Sequence, residues 1–368
     1  MAEKVRESIQ WLQFTLNGTA HFPIVSNWGE VYHFLDKHKI LGVCSPLSYN
    51  VRIEQGVLLQ WIGDIEQIKA SSTLLNKRTM ELCRMLEKDG LRCCVLKGQG
   101  NAMMYPEPLL RMPGDIDVWI DGGQERIISY VRSKFPEARE CFKHIKFPVF
   151  DDVEVDVHLT PLKFCHPKYN RRLQRWIASM KENQMSNHAR LTGMDSDIAI
   201  PTADFNAVYQ MGHILIHLMD EGIGLRHMVD YYYVLKVLKY RSIVQQEVVR
   251  RTLNECGMMR LASAVMWVEY KVLGLDRDCL LASPDERLGM LILEDILEGG
   301  NFGKYAVRHV DVGPGRIKKR IATLRRLIRL SPIARGEFLC HGVLRAGDLL
   351  KSIWSLNTVL KKQAVTAC

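Results

Sequence analysis

Leu96–Asp121 reads LKGQGNAMMYPEPLLRMPGDIDVWID, and the fold turns on it. It leaves an apolar run through a glycine-rich turn, with Lys97 before the turn and Arg111 after it. It then enters a second apolar run headed by Asp115-Ile116-Asp117. Side chains alternate along a strand, so Asp115 and Asp117 share one face while Ile116 and Val118 turn to the other. Two carboxylates so close repel unless a cation lies between them. For a pair facing solvent that cation is usually a divalent metal.

Working outward, Leu91–Leu96 (LRCCVL) is a short apolar run bounded by glycines, a buried strand. Gly98–Tyr105 has room for a short helix, and Pro106, Pro108 and Pro113 impose a loop before the strand Asp115–Ile120. Gln124–Phe135 is helical and stops at Pro136. Lys143–Phe150 and Val153–Leu159 are two strands of a hairpin joined at Asp151-Asp152. The second alternates, with Val153, Val155 and Val157 on one face and Glu154, Asp156 and His158 on the other. If it pairs beside Asp115–Ile120, Asp156 joins Asp115 and Asp117. A mixed sheet with that arrangement holds two magnesium ions for phosphoryl or nucleotidyl transfer. The Gly98-Gln99-Gly100 turn at a helix start offers N–H groups to phosphate. Lys97 and Arg111 add cationic contacts. Glu154 lies further along the same face and is expected in solvent.

The flanks are helical. Ser8–Leu16 and Trp28–His38 have helical spacing, and Ile65–Lys88 places Ile68, Leu74, Leu75, Met80, Leu82 and Leu86 near a 3.6-residue period before Gly90. Leu173–Lys181 is a helix, and Asp197–Ile200 a short edge strand. Helices are expected over Ala203–Asp220, Leu225–Leu238, Ser242–Cys256, Leu261–Val272 and Asp285–Glu298. The fold class is therefore α+β: a small mixed sheet with flanking helices. An N-terminal helical region (1–90), a core (91–200) and a C-terminal helical domain (201–368) divide the chain.

The 368 residues are 47% apolar and 25% charged, an ordinary globular balance. Charges at Glu3, Lys4, Arg6 and Glu7 interrupt any signal-peptide core, and no window is apolar enough to span a membrane. Ten scattered cysteines without zinc spacing predict reduced thiols and a cytoplasmic setting. The net charge of +9 favours polyanionic partners, nucleic acid or nucleotide phosphates. Arg316–Arg335 holds eight basic residues and no acid, either a solvated helix face or a nucleic-acid contact.

The order Lys97-Gly98, then R-M-P-G-D-I-D over Arg111–Asp117, then V-E-V-D-V-H over Val153–His158, resembles nucleotidyltransferases of the DNA-polymerase-beta type. It is most similar to the bacterial group of uncharacterised nucleotidyltransferases. His213 or His217, Val229-Asp230 and Gly299–Gly303 (GGNFG) carry the likeness into the helical half, over roughly residues 70–310. The resemblance implies transfer of NMP from an NTP to a hydroxyl or phosphate acceptor with release of pyrophosphate. Asp115, Asp117 and Asp156 would hold Mg2+, two ions, with Mn2+ as the alternative. Lys97, Gly98, Gln99 and Arg111 would bind the nucleotide, ATP among the candidates. The acceptor is left open among small molecule, protein and RNA. The wider superfamily has Gly-Ser or Gly-Gly in the turn where this chain has Gly98-Gln99, which leaves the triphosphate contact open. The alternative is a non-catalytic module of the same fold that binds nucleic acid or a protein through residues 316–335.

His158 could orient a carboxylate, touch substrate or simply end its strand. His213 and His217 share a helix face, but Ile214 stands where zinc-protease chemistry needs Glu, so a packed pair is expected. Arg226 and Asp230 are spaced for an ion pair within one helix.

Overall fold

The chain is described by a computed structural model covering residues 3–18, 23–141, 144–306 and 316–344, with the backbone alone for residue 3 and for 316–321. Its N-terminal helices are α1 (Glu3–Asn17), α2 (Trp28–Lys37) and α3 (Gln55–Lys88). The core follows with β1 (Cys93–Val95), α4 (Gln99–Ala102), β2 (Ile116–Ile120), α5 (Gln124–Lys134), β3 (His144–Lys146) and β4 (Val155–His158). Then come α6 (Pro167–Ser186), β5 (His188–Arg190) and β6 (Asp197–Ala199). The helical half has α7 (Ala203–Asp220), α8 (Leu225–Lys239), α9 (Ile243–Glu255), α10 (Met259–Lys271), α11 (Glu286–Gly299) and α12 (Arg316–Leu330). The expected α+β class is the observed one.

The four-stranded sheet has the order β1-β2-β4-β3. β1 runs antiparallel to β2, β2 parallel to β4, and β3 antiparallel to β4. β3 and β4 form the expected hairpin, with Ile145 opposite Val157. The parallel pair sets Asp117 directly opposite Asp156. β5, which carries no apolar alternation, pairs with β6 as a separate two-stranded sheet.

Both faces of the sheet are covered. Ile116, Val118, Ile120, Val155 and Val157 pack against Leu82 and Leu86 of α3 and Ile127 and Val131 of α5. On the other face Trp119 stacks on Phe205 of α7, which stacks on Trp176 of α6, at ring-centroid distances of 6.1 and 4.9 Å. This second cover buries Asp117, which is 3% exposed, so the carboxylate pair does not simply face solvent as its alternation suggested. The largest apolar cluster runs from Trp11 in α1 through Cys94 and Trp119 in the sheet to Leu327 in α12.

Several helices are longer than their periodicity indicates. α3 begins ten residues before Ile65, where exposed positions blur the pattern, and α6 extends from Pro167 to Ser186 around the expected Leu173–Lys181. No helix among the described residues is long and apolar enough to cross a membrane.

Candidate active site

Three strand-borne carboxylates meet at one place. Asp115 stands one residue before β2, Asp117 is the second residue of β2, and Asp156 is the second residue of β4. Each can offer an oxygen such that all three lie within 4.8 Å of one another. Local sequence explains the placement. The three prolines between Tyr105 and Gly114 keep the chain out of α-helix, apart from one 3-10 turn at Pro108–Leu110. Gly98 adopts φ +51°, a conformation costly for any residue with a Cβ, and brings the turn against the Asp115 carbonyl.

The charges around the triad are unequal. Burial alone would push the Asp117 carboxyl up, but Lys97 and His158 more than offset it and hold it well below the usual carboxylate range. Lys97 Nζ lies 2.8 Å from Asp117 Oδ2, and His158 Nε2 lies 2.7 Å from Oδ1. Asp115 goes the other way: the negative charge of Asp117, then burial, raises its carboxyl. Lys146 Nζ lies 2.9 Å from Asp156 Oδ1, and His144 Nε2 is 3.4 Å from Oδ2. A carboxylate repelled by its neighbour and an all-oxygen ligand set fit a hard divalent cation. Carboxylate oxygens that already accept one hydrogen bond keep a lone pair for it.

The other residues expected at the nucleotide are placed differently. Lys97 is at the triad, between Asp117 and His213 Nε2 at 3.0 Å. Burial works against its charge, but Asp117 and Asp115 outweigh that and keep it protonated. The Gln99 side chain turns away and donates to Asn76 Oδ1 on α3 at 2.7 Å, and the N–H of Gly100 closes onto the Lys97 carbonyl. Arg111 is paired with Asp230. Its Nε and Nη2 each donate to Asp230 at 2.8 Å, and Nη1 faces the Met112 carbonyl at 3.4 Å. Tyr105 also donates to Asp230, at 2.5 Å. The Arg226–Asp230 pair that the spacing suggests does not form, because Asp230 is already occupied from the sheet side. Burial would raise Asp230, yet the Arg111 guanidinium brings it down to about 2.

His213 and His217 are a contacting pair, Nε2 to Nε2 2.9 Å, so the chain Lys97–His213–His217 runs outward from the triad. Phe302, in the GGNFG segment, packs its ring on His217 and His227 at 5.2 and 5.0 Å while its backbone holds φ +53°. Strain of that kind persists only where surrounding contacts over-determine it. Lys146, His144 and Tyr105 were not anticipated. Lys146 lies opposite Asp156 through the observed hairpin register, whereas a two-residue turn at Asp151-Asp152 would have set Phe147 there. Tyr105 carries no local signal, since its partner is 125 residues away.

The basic segment is less free than its composition implies. Arg326 is buried in a two-pronged pair with Asp295, both contacts 2.6 Å, and Arg329 reaches Asp295 and Glu294. Arg325 is exposed, and the side chains of Arg316, Lys318, Lys319 and Arg320 lie outside the described residues. A cavity of about 700 Å³ lies away from the triad, lined by Arg250, Trp267, Tyr270 and Arg277 among others.

No curated protein matches the chain. Among solved structures, an antigenic nucleotidyltransferase-like protein from Paracoccidioides brasiliensis is similar over 52% of this chain and 88% of that one. The two are 12% identical with a TM-score of 0.29, too weak a likeness to carry an inference. The family described as uncharacterised nucleotidyltransferase matches residues 25–274, a span that takes in β1 to β6, all three carboxylates and α7 to α10, and the chain belongs to that family.

Proposed function

We propose that this chain is a divalent-metal-dependent nucleotidyltransferase that moves NMP from an NTP to a hydroxyl or phosphate oxygen of an acceptor. The observation that carries the reading is the convergence of Asp115, Asp117 and Asp156, with oxygens within 4.8 Å, inside a chain of this family. In the reaction the acceptor oxygen bonds to the α-phosphorus, the bond from that phosphorus to the bridging oxygen breaks, and pyrophosphate leaves. Mg2+ at the triad would lower the acceptor's pKa and neutralise charge on the leaving group.

The chain's own residues divide the remaining work. Asp156 takes the acceptor proton. Asp117, fixed by Lys97 and His158, keeps one rigid geometry and stays ionised. Asp115, partly exposed at the strand entrance, faces the incoming nucleotide. Lys97 stays charged beside the phosphates. Arg111 positions the loop that carries Gly114 and Asp115 by its pair with Asp230. Positioning and charge neutralisation supply most of the rate in such reactions. Free cysteines throughout the described residues suit a reducing, cytoplasmic setting.

Labelled NTPs, each with Mg2+ and a cell extract, test the reading: a fraction should become labelled by wild type but not by the Asp115→Ala/Asp117→Ala variant. Label transfer by a folded double variant at the wild-type rate would refute it.

A further inference from the structure

Arg226 is the second residue of α8 and sits one helical turn before Asp230. Because Asp230 is turned to Arg111 and Tyr105, Arg226 has no hydrogen bond or ion pair to any described residue. It is half-buried, and its guanidinium lies against Gly114, where an added Cβ would come within 3.3 Å of Nη2. Gly114 directly precedes Asp115. An arginine is thus held at the edge of the carboxylate triad with its donors unspent.

Holding it there is costly. Burial, and then the positive charge of Arg111, pull its pKa down to about 10. Asp230 and Asp115 support its charge only in part and without contact, an arrangement that an arriving anion would relieve. The other cations near the triad are engaged: Lys97 with Asp117 and His213, and Lys146 with Glu154 and Asp156.

We propose that Arg226 is the phosphate-binding arginine of the site, receiving oxygens of the NTP triphosphate in the role that its sequence position suggested for Arg111. The proposal rests on the reading of the triad as a nucleotidyltransferase site. A planar fork of N–H donors suits phosphate oxygens in pairs, and at Gly114, the residue before Asp115, no side chain stands between the backbone and the guanidinium. The GGNFG segment holds the start of α8 in place: a Cβ on Gly224 would meet Asn301 Cα at 2.8 Å, so the two backbones are in close contact.

The test measures binding of the four NTPs, and of inorganic tripolyphosphate, with Mg2+ by titration calorimetry on the full chain. Wild type is compared with Arg226→Gln and Arg226→Met, and thermal unfolding is recorded for each. We expect both variants to lose affinity for the preferred NTP and for tripolyphosphate by at least about tenfold, the worth of one charge-assisted pair. Their melting temperatures should be unchanged or higher, because no internal partner is lost. Binding equal to wild type in either folded variant overturns the proposal but leaves the site's function standing. A clear fall in melting temperature, or failure of both variants to fold, makes Arg226 structural and also overturns it. A wild-type chain that binds none of the NTPs overturns the reading of the site itself.

Discussion

The Arg111 guanidinium and the Asp230 carboxylate meet in two parallel hydrogen bonds of 2.8 Å, although 119 residues separate them. Both side chains are buried, and the pair ties the loop before β2 to the first turns of α8. It therefore joins the strand that carries Asp115 and Asp117 to the helix that carries Arg226. It also occupies Asp230, which leaves Arg226 without an ion pair among the described residues.

Breaking this pair should be expensive, because the surviving buried charge loses its partner. Asp230→Asn is expected to cost about 3–5 kcal/mol in urea unfolding at pH 7. Asp230 is depressed to about 2 when folded, so its contribution is present above its unfolded value near 4 and fades as pH falls from there toward 2. The gap between wild type and variant should shrink over that window. A gap that stays constant from pH 7 to pH 2 would count against this account.

Metal binding should appear as stabilisation of the folded chain. Millimolar Mg2+ or Mn2+ should raise the melting temperature of wild type, since a ligand bound only by the folded state stabilises it. Asp115→Asn/Asp117→Asn should show no such rise and should lose NMP transfer by at least about a thousandfold, comparable to removing a principal charge-stabilising group. Differential scanning calorimetry with and without EDTA, beside a labelled-NTP assay, checks both outcomes.

Glu269 predicts a pH dependence unrelated to the site. It lies fully buried in α10 with neither carboxylate oxygen hydrogen-bonded, and burial pushes its pKa well above the usual value. The folded state therefore keeps a proton that the unfolded state releases near pH 4.5. Its contribution to stability is fully present below that pH and falls as pH rises toward the folded value. Glu269→Gln removes the loss, so melting curves of variant and wild type should agree near pH 4, with the variant ahead at pH 8. Parallel curves across that range would contradict the burial argument.

Gly224→Ala tests the contact between the start of α8 and the GGNFG segment. The new methyl would press on Asn301 Cα at 2.8 Å, backbone that cannot rotate away. The expected cost is about 1–3 kcal/mol of stability, the usual range for overpacking. NTP affinity should fall as well, because Arg226 moves with the helix start. Unchanged unfolding and unchanged NTP titration would show that the contact is soft.

By itself the sequence determined the α+β class, the helices of the second half and the strand that carries Asp115 and Asp117. Period-2 alternation and proline and glycine punctuation are local, and so could be read without a structure. It also marked Asp156 as in phase with that pair, and the parallel register of β2 with β4 makes the convergence real. Only tertiary structure decided how the charges are shared out. Asp117 is buried because α6 and α7 cover its face through Trp176 and Phe205, while Arg111 is paired with Asp230 and Arg226 has no hydrogen bond or ion pair among the described residues. Helical spacing pointed instead to Arg226 and Asp230 as partners, because four residues is a neighbourly distance on any helix. A buried, doubly hydrogen-bonded pair outweighs a partly exposed neighbour contact, and no local pattern announces a partner 119 residues away. The same limit hid Tyr105. The carboxylates of Leu96–Asp121 are thus legible within that stretch, while the partners of the charges around them are set by helices that fold over it from the other half of the chain.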